Sequence, residues 1–86
     1  MYKGSPFLNI LPSLDLHGYI REMIYVPVDE FINDNLKLNH KKILIVHGKG
    51  EGILKQELHL KFKNDKRILK MYISSENEGC TIIELK

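Results

Sequence analysis

Among its 86 residues the chain has a single cysteine, Cys80. That excludes an internal disulfide framework and any zinc site built on several thiolates, and it fits a reducing, cytoplasmic setting. Long apolar runs are also missing. The longest, Ile43-Leu44-Ile45-Val46, falls far short of the roughly 20 residues a membrane helix needs, so no membrane partner is expected. Residues 1–13 lack a basic segment followed by an apolar one, and no secretory signal is visible. There is no internal repeat and no low-complexity tract. Net charge is small as well, only +2. What is present is an ordinary globular composition, 43% hydrophobic and 28% charged. A chain of this length makes one domain and buries only about 60–65% of its unfolded surface, so its core is thin.

The charge is unevenly spread. Residues 1–35 set Lys3 and Arg21 against five acidic groups, a net of −3. Residues 36–70 set ten basic groups against Glu51, Glu57 and Asp65, a net of +7, and residues 71–86 return to −2. The basic middle is either a solvated lysine surface or an anion-binding face.

Residues 1–12 hold Gly4, Pro6 and Pro12 among apolar residues. Proline opposes a regular helix there, so the segment is expected to be an extended arm lying on the domain formed by residues 13–86. Met1 opens either a complete small protein or a domain cut from a longer one. Residues 13–17 alternate and stop at Gly18, a first strand. Ile20, Ile24, Val28, Phe31, Ile32 and Leu36 recur every three or four positions, one face of a helix over residues 20–38. Pro27 conflicts with that helix, which either bends there or begins there. Residues 42–47 read as a strand covered on both faces. Residues 48–52 are a glycine loop, and residues 53–64 a second helix with Leu54, Leu58 and Phe62 stacked inward. In a third strand over residues 67–73, Leu69, Met71 and Ile73 alternate against Ile68, Lys70 and Tyr72. A short turn then leads to a fourth strand over residues 80–85, an antiparallel hairpin. The order β-α-β-α-β-β suits a two-layer α/β sandwich, α+β in arrangement, with a four-stranded mixed sheet and right-handed crossovers. An exposed edge on the third or fourth strand would offer a place for a dimer.

Two motifs carry chemistry. Leu14-Asp15-Leu16-His17-Gly18 ends the first strand, with Asp15 and His17 on one side of it. His47-Gly48-Lys49-Gly50-Glu51-Gly52 joins the second strand to the second helix. Parallel strands bring both motifs to the edge where α/β sheets bind ligands. The glycines let backbone N–H groups approach a phosphate at a helix N-terminus, with Lys49 and Lys55 to balance its charge. Neither G-x-x-x-x-G-K-S/T nor the dinucleotide fingerprint is present, which excludes a P-loop triphosphatase and a Rossmann dehydrogenase. Asp15, His17 and His47 suit general acid–base work on a phosphodiester, with Asp15 orienting the His17 imidazole. The same trio also matches a two-histidine, one-carboxylate metal site. His40 and His59 fall on expected polar surface and receive no role; Cys80 is expected to be a small core residue.

Together the motifs resemble those of the Smr (small MutS-related) domain, of which this would be a small member. That family has an L-D-x-H-G strand end, an H-G-x-G loop and an apolar helix start, here Gly52-Ile53-Leu54. It ends in a G-x-T strand, here Gly79-Cys80-Thr81. The resemblance covers roughly residues 13–86. It implies a fold similar to the C-terminal domain of the third bacterial translation initiation factor. It implies nucleic-acid binding and, in many members, endonuclease (nicking) activity on RNA or branched DNA, in some on messenger RNA at stalled ribosomes. Asp15 and His17 match the proposed catalytic positions; His47, Gly48 and Gly50 match the loop proposed to hold the phosphate. The expectation is an endonuclease that holds the phosphodiester with Gly48, Lys49, Gly50, Gly52 and Lys55 and needs no cofactor on RNA. DNA cleavage would call for an activated water and a Mg or Mn ion. The alternative is a non-catalytic module that binds RNA, DNA or a ribosome.

Overall fold

The computed structural model describes residues 11–86. Most of the arm expected over residues 1–12 lies outside them. Of its last two members, Leu11 packs against Leu44, Cys80 and Ile82, and the Pro12 carbonyl accepts the Leu44 N–H at 2.9 Å.

The elements run β1 (Ser13–Asp15), a 3₁₀ turn (Arg21–Met23), α1 (Tyr25–Lys37), β2 (Lys42–Val46), α2 (Ile53–Phe62), β3 (Ile68–Ile73) and β4 (Cys80–Leu85). The sheet order is β1-β2-β4-β3, with β1 parallel to β2 and β4 antiparallel to both its neighbours. The expected architecture, two helices on a four-stranded mixed sheet, is the one formed. β4 lies inside the sheet, so among the described residues β1 and β3 are its edges.

Alternation along the strands sorts the apolar residues onto two faces. Ile43 and Ile45 of β2 join Ile83 and Leu85 of β4 beneath Val28 and Ile32 of α1 and Leu58 and Phe62 of α2. Each such fully buried side chain contributes about 1.5–3 kcal/mol. The Phe62 ring also stacks on Tyr25, with centroids 5.1 Å apart and planes 13° from parallel. On the other face Leu44, Cys80 and Ile82 form a smaller cluster with Val46 and Tyr72. β2 is thus covered on both sides, as its sequence implies, and Cys80 is a core residue.

Two local expectations change. The helix expected over residues 20–38 is two pieces that meet at Ile24. Pro27 is the third residue of α1, where backbone N–H groups have no acceptor within the helix; the ladder begins with Val28 N–H on the Ile24 carbonyl at 3.1 Å. The helix therefore starts two residues before Pro27, which interrupts none of its backbone bonds. Ile20 precedes both pieces and is 59% exposed rather than buried. In β3 the register shifts between Ile68 and Lys70. The bulge turns Ile68 inward opposite Leu85 and sends Leu69 into solvent, the reverse of simple alternation.

Arg67 locks the start of β3 to α1. Its guanidinium binds Asp65 at 2.6 and 2.9 Å, Asp29 at 2.8 Å and Asn33 at 2.9 Å. Hydrogen bonding to Asp65 raises the Arg67 pKa, and the same bonds lower that of Asp65. Replacing Arg67 by Met should lower stability at pH 7 by about 1–3 kcal/mol. A depressed carboxylate stabilises the fold above its ordinary value near 3.8 and loses that contribution as pH falls through its folded value. The deficit of Arg67→Met should therefore be full above about pH 4 and narrow below it. Urea midpoints at pH 7 and pH 3, at unchanged m-value, measure this.

Candidate functional site

Parallel pairing sets Asp15 opposite Val46, so the carboxyl ends of β1 and β2 lie side by side. Past the pairing, the Leu16 N–H donates to the Val46 carbonyl at 2.8 Å. The chain then turns sharply. Asp15 Oδ1 accepts the His17 main-chain N–H at 2.8 Å, and Gly18 takes a left-handed φ of 86°. Asp15, His17, Val46, His47 and Gly48 line a cavity of about 220 Å³. The convergence expected of the two motifs is present. The bond that Asp15 makes is with the His17 backbone, not its imidazole; the carboxylate shapes the turn that carries the ring.

The loop after β2 is held from inside the protein. The N–H groups of His47 and Gly48 both donate to the Gly79 carbonyl at 2.9 Å. A Cβ at Gly79 would lie 3.1 Å from Asn77 Oδ1 and 3.2–3.3 Å from the Gly48 backbone, so any other residue would push the loop outward by a few tenths of an ångström. Because the Gly48 amide faces Gly79, it is not available to a phosphate, contrary to expectation. Residues 49–52 retain that capacity. Gly52 has a left-handed φ of 78° and caps α2, its carbonyl accepting the Gln56 N–H at 2.9 Å.

Beneath the loop is a half-buried polar relay centred on Thr81. His47 Nδ1 lies 3.0 Å from the Gly48 carbonyl, and Nε2 lies 2.8 Å from the Thr81 hydroxyl. His59 Nε2 lies 2.9 Å from the same hydroxyl, which is fully buried. Only one proton order satisfies all three bonds with neutral rings. His59 Nε2–H donates to Thr81, Thr81 donates to His47 Nε2, and His47 Nδ1–H donates to Gly48. Burial lowers both histidine pKa values, and the Lys55 ammonium adds to this. With both ring nitrogens engaged, His47 in this conformation has none to offer a substrate. His17 is the exposed imidazole of the cavity.

The remaining expected residues are dispersed. Lys49 and Gly50 are exposed. Lys55 lines a second cavity of about 230 Å³ with Gln56, His59 and Ile73, and its side chain curls back towards Gly52. Part of the positive charge of the basic middle is paired: Arg67 is held by carboxylates, Lys61 lies 3.9 Å from Glu57, and Lys42 4.0 Å from Glu84. No group of three or more His, Cys, Asp or Glu side chains among the described residues is arranged to hold a metal ion. Asp15, His17 and His47 therefore do not form the three-ligand arrangement their residue types allow. His59, expected on open surface, is half-buried and hydrogen-bonded. A signal for it existed: alternation puts Thr81 inward with Ile83 and Leu85, and a buried hydroxyl demands a polar partner.

A two-layer sandwich that sets an Asp-x-His-Gly turn beside a His-Gly-Lys-Gly loop at one sheet edge defines a distinct class of small domain. The Smr domain model matches residues 14–86, and the chain belongs to the Smr domain family. It is 33% identical over 86 residues to the endonuclease MutS2 of Leuconostoc mesenteroides, covering 96% of this chain and 11% of that protein. It is 38% identical over 88 residues to endonuclease MutS2 of Finegoldia magna, covering 98% of this chain and again 11% of the relative. The chain thus spans about a tenth of the length of these curated relatives. The fold is similar to the Smr domain of Thermus thermophilus MutS2, with TM-score 0.84 and 24% identity over 88% of this chain and 99% of that one. It is similar also to YdaL, a stand-alone small MutS-related protein from Escherichia coli, with TM-score 0.77 and 20% identity over 86% and 63% of the two chains. No helix among the described residues is long and apolar enough to cross a membrane.

Thr81→Val keeps the shape of the side chain but leaves two imidazole nitrogens without their buried partner. It should cost about 1–3 kcal/mol and speed amide exchange at Gly48. In the wild type, depressed histidine pKa values mean that the unfolded chain binds these protons more tightly. Stability should be full above the ordinary value near 6.5 and fall as pH drops below it. Histidine NMR titrations and denaturant midpoints across pH 5–8 measure both effects.

Proposed function

We propose that this domain binds nucleic acid and cleaves a phosphodiester bond, with RNA as the preferred substrate and branched DNA as the other candidate. The observation that carries the reading is the cavity shared by Asp15, His17 and the His47-Gly48 turn, at the edge of the sheet where the Smr motifs meet. The endonuclease name of the MutS2 relatives supports it. In RNA the 2′ oxygen attacks the neighbouring phosphorus and the bond to the 5′ oxygen breaks, leaving a cyclic phosphate. His17 takes the 2′ proton as general base, and the departing 5′ oxygen takes one from solvent. Asp15 positions His17 through the turn. The amides of residues 49–52 and the ammonium groups of Lys49 and Lys55 hold the phosphate. His47 is a scaffold for the loop rather than a second acid. No metal is needed on RNA, whereas DNA requires an activated water and a Mg or Mn ion.

A second reading, a module that binds RNA, DNA or a ribosome without cutting, is favoured by one fact: the relay leaves His17 as the only imidazole in the cavity with ring nitrogens outside those bonds. Cleavage of end-labelled RNA and branched DNA, with and without Mg²⁺ or Mn²⁺, separates the two. His17→Ala should slow cleavage by about a hundredfold or more while folding and binding persist, because the side chain is exposed. Lys49→Ala and Lys55→Ala should weaken binding to all sequences and reduce the salt slope by about one each. Wild-type protein that binds but never cuts selects the second reading.

A further inference from the structure

A third concavity is lined by the two chain segments that continue out of the proposed phosphate site. Tyr19, Ile20, Arg21, Glu22, Ile53 and Leu54 line a groove of about 490 Å³, larger than the cavity at His17. One wall is the segment that leaves Asp15 and His17 and continues through Gly18. The other is the start of α2, reached from His47 and Gly48 through residues 49–52. A strand whose phosphate lies over the loop therefore has this groove beside it.

The chemistry of the groove differs from that of the phosphate site. Ile20 is 59% exposed, Ile53 47% and Tyr19 37%, so apolar and aromatic surface stands in water. Arg21 and Glu22 pair with each other at 3.2 Å and leave the rim close to neutral. Such a groove repels neither phosphate nor carboxylate strongly, but it rewards a flat, uncharged group with apolar faces and polar edges. On the polar rim, guanidinium donors and carboxylate acceptors stand ready for those edges.

We infer that the groove receives one unpaired nucleobase, stacked against Tyr19 and flanked by Ile20 and Ile53, next to the phosphate held by the loop. The inference rests on the nucleic-acid reading above and narrows it to a substrate class. A base inside a duplex cannot enter, so the domain selects single strands, loops or extruded nucleotides over continuous duplex. Each base has an apolar face, so the selection is for unpaired structure rather than for sequence.

The test uses a short single-stranded RNA carrying 2-aminopurine, its duplex, and a fully abasic strand with the same phosphates. Stacking on Tyr19 should quench 2-aminopurine fluorescence in the wild type and not in Tyr19→Ala. Tyr19→Ala and removal of the bases should each weaken binding about tenfold, and the two together should lose little more than either alone. Urea midpoints confirm that Tyr19→Ala, a change at an exposed loop position, remains folded; Tyr19→Phe should bind as the wild type does. Equal affinity for the intact and abasic strands, equal affinity for single strand and duplex, or full additivity of the two losses would overturn the inference while leaving the phosphate site intact. Loss of all binding only on Lys49→Ala and Lys55→Ala, with Tyr19→Ala unchanged, would do the same. Failure of the wild type to bind any of the three strands would overturn both readings. A groove that instead takes an apolar peptide would show as unchanged strand binding in Tyr19→Ala, which counts against it.

Discussion

The Thr81 hydroxyl is shut off from solvent and bonded to both His47 and His59, so β4, the β2–α2 loop and α2 meet at one oxygen atom. A buried hydroxyl without partners would cost about 1–3 kcal/mol, a large share of the stability of so small a domain. The bonds carry information as well as energy. They select one tautomer of His47, direct its Nδ1–H to the Gly48 carbonyl and so fix where the loop leaves the sheet. The Gly79 carbonyl holds the same point from the other side. The inner surface of the loop is thus satisfied within the protein, and only its outer surface is left to meet a ligand.

That arrangement separates two histidines that the sequence presents as equals. His17 stands on a turn shaped by a carboxylate and faces solvent; His47 stands at the end of β2 and faces a threonine. The His-Gly pair at the start of the loop is first a mechanical device, since the imidazole closes onto its neighbour's carbonyl while the neighbour's amide closes onto the hairpin. Charge is divided in a similar way. Arg67 and Lys61 are occupied with nearby carboxylates, whereas Lys49 and Lys55 stand near the loop. The local distribution of positive charge therefore says more about ligand binding than the sum over residues 36–70.

Much of this was legible from the residues alone. The run Ile43-Leu44-Ile45-Val46 has only one economical place in a small α/β domain, and Leu54, Leu58 and Phe62 can share a core only on a helix. Those patterns imply the sheet, both helices and the meeting of Asp15 with His47. The parts that were not legible depend on contacts between distant segments. Nothing local to Ile68 marks a bulge; it follows from the register against Leu85. The state of the Gly48 amide depends on a hairpin thirty residues away, and the role of His59 on which strand α2 covers. Pro27 misled because its effect depends on a boundary two residues upstream, where a 3₁₀ turn gives way to α1.

The edges of the sheet have a consequence for how the domain lives among other chains. β1 contributes only three residues, too few to template an added strand, and β3 presents a bulge followed by Lys70 to any incoming backbone. Neither margin invites fibril growth or strand exchange. Beside other folded units, such margins give a neighbour's strand little to add to.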